Sequence, residues 1–389
     1  MTNIIEETQL DYADVLIKPK RSTLNSRKEP IIYREYKFKH SDKRIYGNGF
    51  MVSNMATTGT FKMAEELAYQ KMFTCLHKHY SLRELEDFYN KHKDENVTIV
   101  TPEGNFYEPF LDYVFVTMGQ RAQDFERIDY LLKLGYKNVC IDIANGYIPV
   151  LLESIKNIRK EYPNIIIMVG NVVTGDMVQD LLLSGADIVK CGIGPGANCT
   201  TRKITGVGRP QLSAVIECAE AAHAVNGMLC ADGGINCVGD ICKAYGAGAD
   251  FIMVGSLVAG TDEADGEIIT KCYRTNEYSI SEEENNFGDI ICQHNEPQYI
   301  MPQYKLAYGM SSKFAQDKHN GGMNSYRASE GIVTLKPYIG SVQNVIDEYL
   351  GGLRSCMTYI SARRLKDIPK CTTFYRVNRI LNNDGKGIM

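Results

Sequence analysis

Short apolar runs recur along the chain from position 50 onward, and most of them precede a segment with helical apolar spacing. Eight of these runs have the length and composition of buried strands. They are Phe50–Asn54, Met72–His77, Tyr113–Thr117, Val139–Ile143, Ile165–Val169, Ile188–Cys191, Met228–Ala231 and Phe251–Val254. Eight successive strand and helix units predict an α/β fold, a single TIM (β/α)8 barrel domain over residues 1–389.

Three segments flank or interrupt this pattern. Residues 1–49 show no sustained period, so we predict an N-terminal strap without a core of its own to join. Residues from about 261 to 305 are acidic and lack a clean period, which predicts a mobile surface insertion. Residues from about 309 to 331 are rich in glycine and end on an Arg and a Glu, which is typical of a flap.

Polar residues and glycines follow all eight predicted strands. In a TIM barrel these positions form the active site, because the carboxyl ends of the strands share one face. The positions are 54–56, 77–79, 118–119, 142–146, 170–171, 192–202, 232–234 and 255–256. The pattern therefore supports the fold and locates the site together.

The loop after the sixth strand carries the strongest candidate chemistry. Three glycines and a proline precede Cys199, Thr200, Thr201 and Arg202. A thiol beside hydroxyls, backbone N–H groups and a guanidinium suits a covalent nucleophile. The alternative is a tight turn with a buried cysteine.

Two further places suggest anion binding. Asp232-Gly233-Gly234 and Gly255-Ser256 follow the seventh and eighth strands, where glycines let backbone N–H groups approach a phosphate and Asp232 would lie near ribose hydroxyls. Ordinary turn chemistry also explains these glycines. Lys78, between two histidines, is either a ligand for a cofactor phosphate or a solvated lysine.

Composition narrows the class of protein. The 389 residues are 44% hydrophobic and 23% charged with a formal net charge of −4, which gives no overall electrostatic reason to bind nucleic acid. No apolar run approaches the roughly 20 residues of a membrane span, and the polar N-terminus predicts a cytoplasmic protein. Of the 12 cysteines, four are expected to be reduced core thiols, namely Cys75, Cys140, Cys191 and Cys230, and the spacing of Cys237 and Cys242 does not suggest zinc.

The loop sequences at 192–202 and 205–211, GIGPGANCTTR and TGVGRPQ, resemble the active-site loop of the IMP dehydrogenase and GMP reductase family. The resemblance runs from Leu10 to Phe374. Only about 35 residues separate strands two and three, where dehydrogenases usually carry regulatory modules. Tyr326-Arg327 also stands in the reverse order of the dehydrogenase Arg-Tyr pair, in a short flap. Both features favour a reductase.

The resemblance implies NADPH-dependent conversion of GMP to IMP with release of ammonia, in a homotetramer. It implies that Cys199 forms a thioimidate while Thr201 and Glu330 move protons. The implied nucleotide-binding residues are Asp232, Gly233, Gly234, Gly255, Ser256, Gly309, Met310, Ser311, Arg327 and Gly331. The implied cofactor-binding residues are Ser26, Arg27, Lys78, Asp142, Ile143, Ala144, Ile193, Gly194, Tyr326, Ser355, Cys356, Met357 and Thr358, with Ser26-Arg27 reaching the cofactor of a neighbouring subunit. The implied K+ positions are Gly194, Gly196, Cys199 and Arg202.

The chain departs from the family pattern at two positions. Ala56 replaces an aspartate after strand one, and Ser256 replaces a glycine after strand eight. The first change bears on cofactor affinity, whereas the serine keeps a hydrogen-bond donor for phosphate. Two alternatives stay open, an IMP dehydrogenase without regulatory modules and a catalytically silent nucleotide-binding barrel.

Overall fold

Eight parallel strands close into a barrel in this computed structural model, which describes residues 4–101, 104–284, 290–322, 325 and 328–377. The strands are β1 (Phe50–Val52), β2 (Phe73–Leu76), β3 (Val114–Met118), β4 (Asn138–Asp142), β5 (Ile166–Val172), β6 (Ile188–Cys191), β7 (Met228–Asp232) and β8 (Phe251–Val254). Each strand pairs with its neighbours in sequence, and β8 pairs with β1 to close the sheet. The predicted barrel and all eight of its strands are confirmed, with small shifts at their ends.

The barrel strands are mostly apolar because both of their faces are covered. Every residue of β1, β2, β6 and β8 is buried, since side chains alternate between the barrel interior and the surrounding helices. Lys190 on β6 is the one charged residue of these four strands, and it is only 1% exposed. Such a buried charge needs partners of opposite sign.

Helices follow the strands and bury one apolar face against them. Thr60 and Ser81 cap the first two helices, each accepting a hydrogen bond from a backbone N–H of the first turn. The helices are α1 (Phe61–Tyr69), α2 (Leu82–His92), α3 (Ala122–Leu134), α4 (Pro149–Glu161), α5 (Gly175–Leu183), α6 (Thr201–Thr205), α7 (Gln211–Ala224), α8 (Val238–Gly246), α9 (Lys313–Asn320), α10 (Val342–Ile360) and α11 (Ile368–Cys371). No helix of the described residues is both long and apolar enough to cross a membrane.

The two ends of the chain join each other on the outside of the barrel. Val15–Ile17 pairs antiparallel with Phe374–Arg376, and Tyr12 and Val15 are buried in the main core. A hairpin of Arg34–Lys37 and Arg44–Gly47 adds Tyr36, whose ring stacks on that of Phe251 at 4.5 Å. The expectation that the strap has no core to join was therefore wrong, because its few apolar residues pack on the barrel.

The insertion after β8 is built from strands. Tyr273–Glu284 and Ile290–Ile300 form a long antiparallel hairpin. Its base continues into Ile268–Thr270, Gln303–Tyr308 and Val333–Pro337, which form a three-stranded sheet. The prediction of a segment without regular structure was wrong. The hairpin strands pair with each other and not with the core, so they lack the alternation that reveals a half-buried strand.

Another hairpin, Asn96–Thr101 and Gly104–Pro109, lies between α2 and β3. Its residues Val97 and Ile99 are buried in the core, whereas Val100 is 69% exposed. This alternation is the two-residue period of a strand with one face covered.

The hairpin after β8 should be dispensable for folding. Replacing residues 274–299 with a short Gly-Ser link removes strands that pair with each other, and loop closure costs about 0.6 kcal/mol per doubling of length. The melting temperature should therefore change little. As a matched control, extending the deletion through Tyr308 removes a strand of the three-stranded sheet and should abolish soluble protein. Equal losses in both variants would contradict this assignment.

Candidate active site

The loop after β6 turns sharply and presents Cys199 at the carboxyl face of the barrel. The backbone N–H of Cys199 donates to the carbonyl of Gly196 at 2.9 Å, and α6 begins at Thr201. Gly233 from the next loop packs against this turn, where an added Cβ would meet the backbone nitrogen of Gly196 at 3.1 Å. With φ of +91°, position 233 also strongly favours glycine.

Cys199, Thr201 and Glu330 form one hydrogen-bonded line. The Cys199 thiol donates to the Thr201 hydroxyl at 3.2 Å, and that hydroxyl donates to the Glu330 carboxylate at 2.7 Å. The backbone fixes the same alignment, because the N–H of Thr200 donates to the carbonyl of Glu330 at 3.0 Å. A proton can therefore pass between the thiol and the carboxylate through one hydroxyl group.

The flap is attached to the Cys199 loop by its backbone. The N–H of Ile332 donates to the carbonyl of Asn198 at 3.1 Å, and the N–H of Glu330 donates to the carbonyl of Ser311 at 3.2 Å. Gly309 and Gly331 touch, since a Cβ added to Gly331 would meet the Gly309 Cα at 3.1 Å. The predicted flap positions 309–311 and 330–331 are thus brought to the thiol. Tyr326 and Arg327 lie outside the described residues.

Ala56 lies beneath the flap and not at the open mouth of the site. It is 2% exposed and clusters with Tyr308 and Ala315, the latter on α9. Its N–H donates to the thioether sulfur of Met310 at 3.3 Å. A carboxylate at position 56 would be buried against apolar groups, so the alanine matches the contact that this flap makes.

Three histidines join the loop after β2 to the flap helix. The rings of His79 and His319 stack at 4.1 Å, and His319 shares a hydrogen bond with the Tyr308 hydroxyl at 3.1 Å. Burial lowers the pKa of His77 to about 4 and that of His79 to about 3, with His319 and Lys78 adding to the latter. The rings are therefore neutral at pH 7. In the sequence, His77 and His79 stand out only as neighbours of Lys78, and nothing local marks His319, whose partner lies over 200 positions away.

Two carboxylates and one ammonium meet inside the mouth of the barrel. Lys190 Nζ lies 2.5 Å from Asp142 Oδ1 and 3.3 Å from Asp232 Oδ2. Asn171 Nδ2 donates to the same Asp232 oxygen at 2.9 Å. Burial raises the pKa of Asp142, but Lys190 outweighs burial and brings that pKa below its ordinary value. Lys190 was missed in the sequence, although a lysine within an apolar strand was a visible signal.

The glycine-rich positions after β7 and β8 lie beside the Cys199 loop. Gly234 packs against Pro195 of that loop and the Tyr12 ring of the strap. Gly255 faces Ser53 and Met55 after β1, where an added Cβ would meet Ser53 Oγ at 3.0 Å. Ser256 is partly buried next to it. The predicted nucleotide positions therefore adjoin the thiol and the end of β1.

The strap braces the catalytic loop from the other side. Arg202 pairs with Asp11 at 3.1 Å and also donates to the carbonyl of Arg209. Asp11 accepts a second hydrogen bond from the N–H of Gln211 at 2.5 Å. Gln211 in turn donates to the carbonyl of Cys191 at 2.9 Å. One strap carboxylate thus links Arg202, three residues after Cys199, to Gln211 at the start of α7.

The predicted cofactor residues fall into two groups. Asp142, Ile143 and Ala144 follow β4, and Ile193 and Gly194 precede Cys199 in its loop. Exposed Ser26 and Arg27 belong instead to the strap that runs along α10 near Ser355–Thr358, as shown by hydrogen bonds from Lys20 to Tyr359 and from Arg354 to Pro30. No hydrogen bond or ion pair between described residues joins this second group to Cys199, Thr201 or Glu330. Met357 is fully buried, whereas Ser355, Cys356 and Thr358 are partly exposed.

Known proteins resemble this chain in sequence along nearly its whole length. A family model described as the IMP dehydrogenase / GMP reductase domain matches residues 9–282 and 292–385. The chain is 46% identical to a GMP reductase of Phytophthora infestans over 384 residues, which is 98% of this chain and 94% of that protein. It is 42% identical to GMP reductase 2 of Homo sapiens over 384 residues, 98% of both chains. A GMP reductase of Vibrio atlanticus is 43% identical over 382 residues, again 98% of both.

Acid should weaken the histidine contact between the flap and the barrel. The folded-state pKa values of His77 and His79, about 4 and about 3, lie below the unfolded value of about 6.5. Below that value the unfolded chain binds more protons, so stability falls as the pH drops toward 4. At about pH 5.5 the loss should be about 1 kcal/mol per histidine, seen in urea midpoints.

His79→Phe keeps a stacked ring without a titrating nitrogen and should retain the part of the midpoint that His79 loses in acid, while the part due to His77 is still lost. The control is His223→Gln, because hydrogen bonding to Asp250 raises the pKa of His223, and its stabilisation is therefore present in acid. The control variant should lose more stability in acid than the unmodified protein does. An unchanged acid loss in His79→Phe would contradict the role of this contact.

Proposed function

The chain belongs to the IMP dehydrogenase / GMP reductase family, and within that family we propose that it is a GMP reductase, converting GMP to IMP with release of ammonia. The observation that carries the proposal is the line of Cys199, Thr201 and Glu330, which couples a nucleophile to a proton carrier. Relatives named GMP reductase at 42% to 46% identity along nearly the whole chain support it.

The proposed reaction begins with the Cys199 sulfur. As thiolate it adds to C2 of the purine, and the thiol proton moves through Thr201 to Glu330. The same relay, in reverse, protonates the amino group so that ammonia leaves and a thioimidate remains on Cys199. NADPH, when bound, supplies the hydride that C2 receives. The C2–sulfur bond then breaks, IMP leaves and Cys199 is regenerated.

The nucleotide would be held from three directions. Asp232 would accept hydrogen bonds from the ribose hydroxyls, and the backbone N–H groups of Gly233, Gly234, Gly255 and Ser256 would face the phosphate. The flap would cover the base with residues 309–311, Arg327 and Gly331 and exclude water from the thioimidate. Exclusion of water matters here, because hydrolysis of this intermediate would give a different product.

NADPH, K+ and a homotetramer are further parts of this proposal. Lys78, Asp142, Ile143, Ala144, Ile193, Gly194 and Tyr326 would bind the nicotinamide half of the cofactor. Ser26, Arg27 and Ser355–Thr358 form a separate outer group, which suits a cofactor site completed by a neighbouring subunit. K+ would be bound by the backbone carbonyls of Gly194, Gly196, Cys199 and Arg202, oxygen ligands that suit a hard cation.

A cytoplasmic location completes the proposal. Eleven cysteines of the described residues are free thiols, six of them buried. A protein with this many unpaired thiols suits a reducing compartment.

The function is tested by incubating the protein with GMP and NADPH. Stoichiometric loss of NADPH absorbance and release of ammonia are expected, because hydride transfer and deamination belong to one turnover. Turnover of IMP with NAD+ and water to the 2-oxo product would identify a dehydrogenase instead. Tight GMP binding with no turnover in either direction would identify a silent barrel.

The division of roles is tested with two variants. Cys199→Ala should abolish the reductase reaction and the reverse oxidation of IMP, while GMP still binds. Glu330→Gln should slow deamination roughly 10² to 10⁴-fold but still form a trapped thioimidate from IMP and NADP+. Cys237→Ala, at an exposed cysteine, is the matched control and should behave as wild type. Rapid-quench detection of an adduct in Cys199→Ala would overturn the assignment.

A further inference from the structure

Lys190 has no role in the reaction described above, yet its charge lies deep inside the barrel. It is 1% exposed and lies on β6, nine residues before Cys199. A buried lysine without partners loses its proton or destabilises the fold. Here burial lowers the pKa of Lys190, but Asp142 and Asp232 outweigh burial and raise it well above its ordinary value. The ammonium is therefore retained.

The two partners of Lys190 come from strands that do not touch each other. Asp142 ends β4 and Asp232 ends β7, with β5 and β6 between them in the sheet. Both carboxylates reach one nitrogen atom, at 2.5 Å and 3.3 Å, so their oxygens lie no more than about 6 Å apart. Two carboxylates at that separation repel each other unless a cation lies between them.

Both carboxylates remain available to ligands. The side chains of Asp142 and Asp232 are 37% and 22% exposed, whereas that of Lys190 is 1% exposed. Asn171 and Asn54 each donate one hydrogen bond, to Asp232 and Asp142 respectively, which fixes the orientation of the carboxylates without closing them off. The lysine thus lies behind the carboxylates, and their free oxygens face the mouth of the barrel.

We propose that Lys190 is a positioning residue for the reductase reaction, holding Asp142 and Asp232 together so that one nucleotide and one dinucleotide bind side by side. The inference rests on the proposed function, because it assigns Asp232 to the ribose of the nucleotide and Asp142 to the cofactor. Lys190 acts through these two carboxylates and touches neither ligand.

Other charged and titratable groups lie near Asp142, Asp232 and Lys190. Lys78, after β2, favours the ionised form of Asp142 from the open side of the site. The thiols of Cys75, Cys140 and Cys230 lie near Lys190 within the barrel. In the described part of the chain, Lys190 is the only ammonium that forms an ion pair with either carboxylate. Its removal therefore leaves the pair without its main source of positive charge.

The test replaces Lys190 by methionine, which keeps the length and removes the charge. In Lys190→Met the repulsion should raise one carboxyl pKa, so that one group becomes protonated as the pH falls from about 8.5 to about 6. A protonated carboxyl group accepts hydrogen bonds poorly. We expect the Kd for GMP to rise roughly tenfold over this range, against less than about threefold in wild type. Lys190→Arg should restore the flat wild-type profile.

A second variant keeps the proposal testable if Lys190→Met folds poorly. The double variant Lys190→Met/Asp142→Asn has no carboxylate pair, so its affinity for GMP should again be nearly independent of pH. A loss of affinity in Lys190→Met that is the same at every pH, with matching loss of melting temperature, indicates structural support alone and overturns the proposal. The same titration in the double variant as in Lys190→Met overturns it as well.

Calorimetric binding of GMP separates this inference from the proposed function. If wild type binds GMP but turns over neither GMP nor IMP, the proposed reaction fails. The pH dependence of binding in Lys190→Met then still decides whether the lysine governs the carboxylate pair. If turnover is normal and Lys190→Met shows a flat profile, only the role of Lys190 fails.

Discussion

Closure of the parallel sheet is the constraint on which the rest of the structure depends. A closed barrel covers both faces of every strand, so its strands must be apolar, and polar chemistry can begin only where the strands end. Cys199, Asp142 and Asp232 all stand at or beyond such an end. Because the strands are parallel, their carboxyl ends share one face of the barrel. Residues that are distant in sequence therefore lie close together there.

Loops that carry reactive groups need support that the barrel itself does not give. The Cys199 segment receives it from two sides. The strap binds Arg202 and Gln211 through the single carboxylate of Asp11, and the flap pairs with residues 198–200 through backbone hydrogen bonds. The thiol is thus fixed between two segments from outside the β/α units. This arrangement explains why a short N-terminal extension has buried residues and a defined place on the barrel.

The parts of this molecule that could be predicted from sequence are those with a local signal. Strand β8 is a run of four apolar residues, and the Cys199 loop is marked by its glycines and its row of polar side chains. The hairpin of residues 273–300 escaped because its two strands form a sheet of their own and their sequence has no regular alternation of apolar and polar residues. The contact of His79 with His319 escaped for another reason, since nothing local marks a partner on a helix 240 positions away.

The alanine at position 56 is explained by the packing of the flap against the end of β1. The flap sets its Met310 sulfur on the Ala56 N–H and its Tyr308 beside the Ala56 side chain. A carboxylate there would lose its water without gaining a cation, because the ammonium of Lys190 already serves Asp142 and Asp232. The alanine instead gives the flap an apolar seat. Ala56, Tyr308 and Ala315 therefore form an uncharged contact between the end of β1 and the flap, while the Glu330 carboxylate lies beside Thr201.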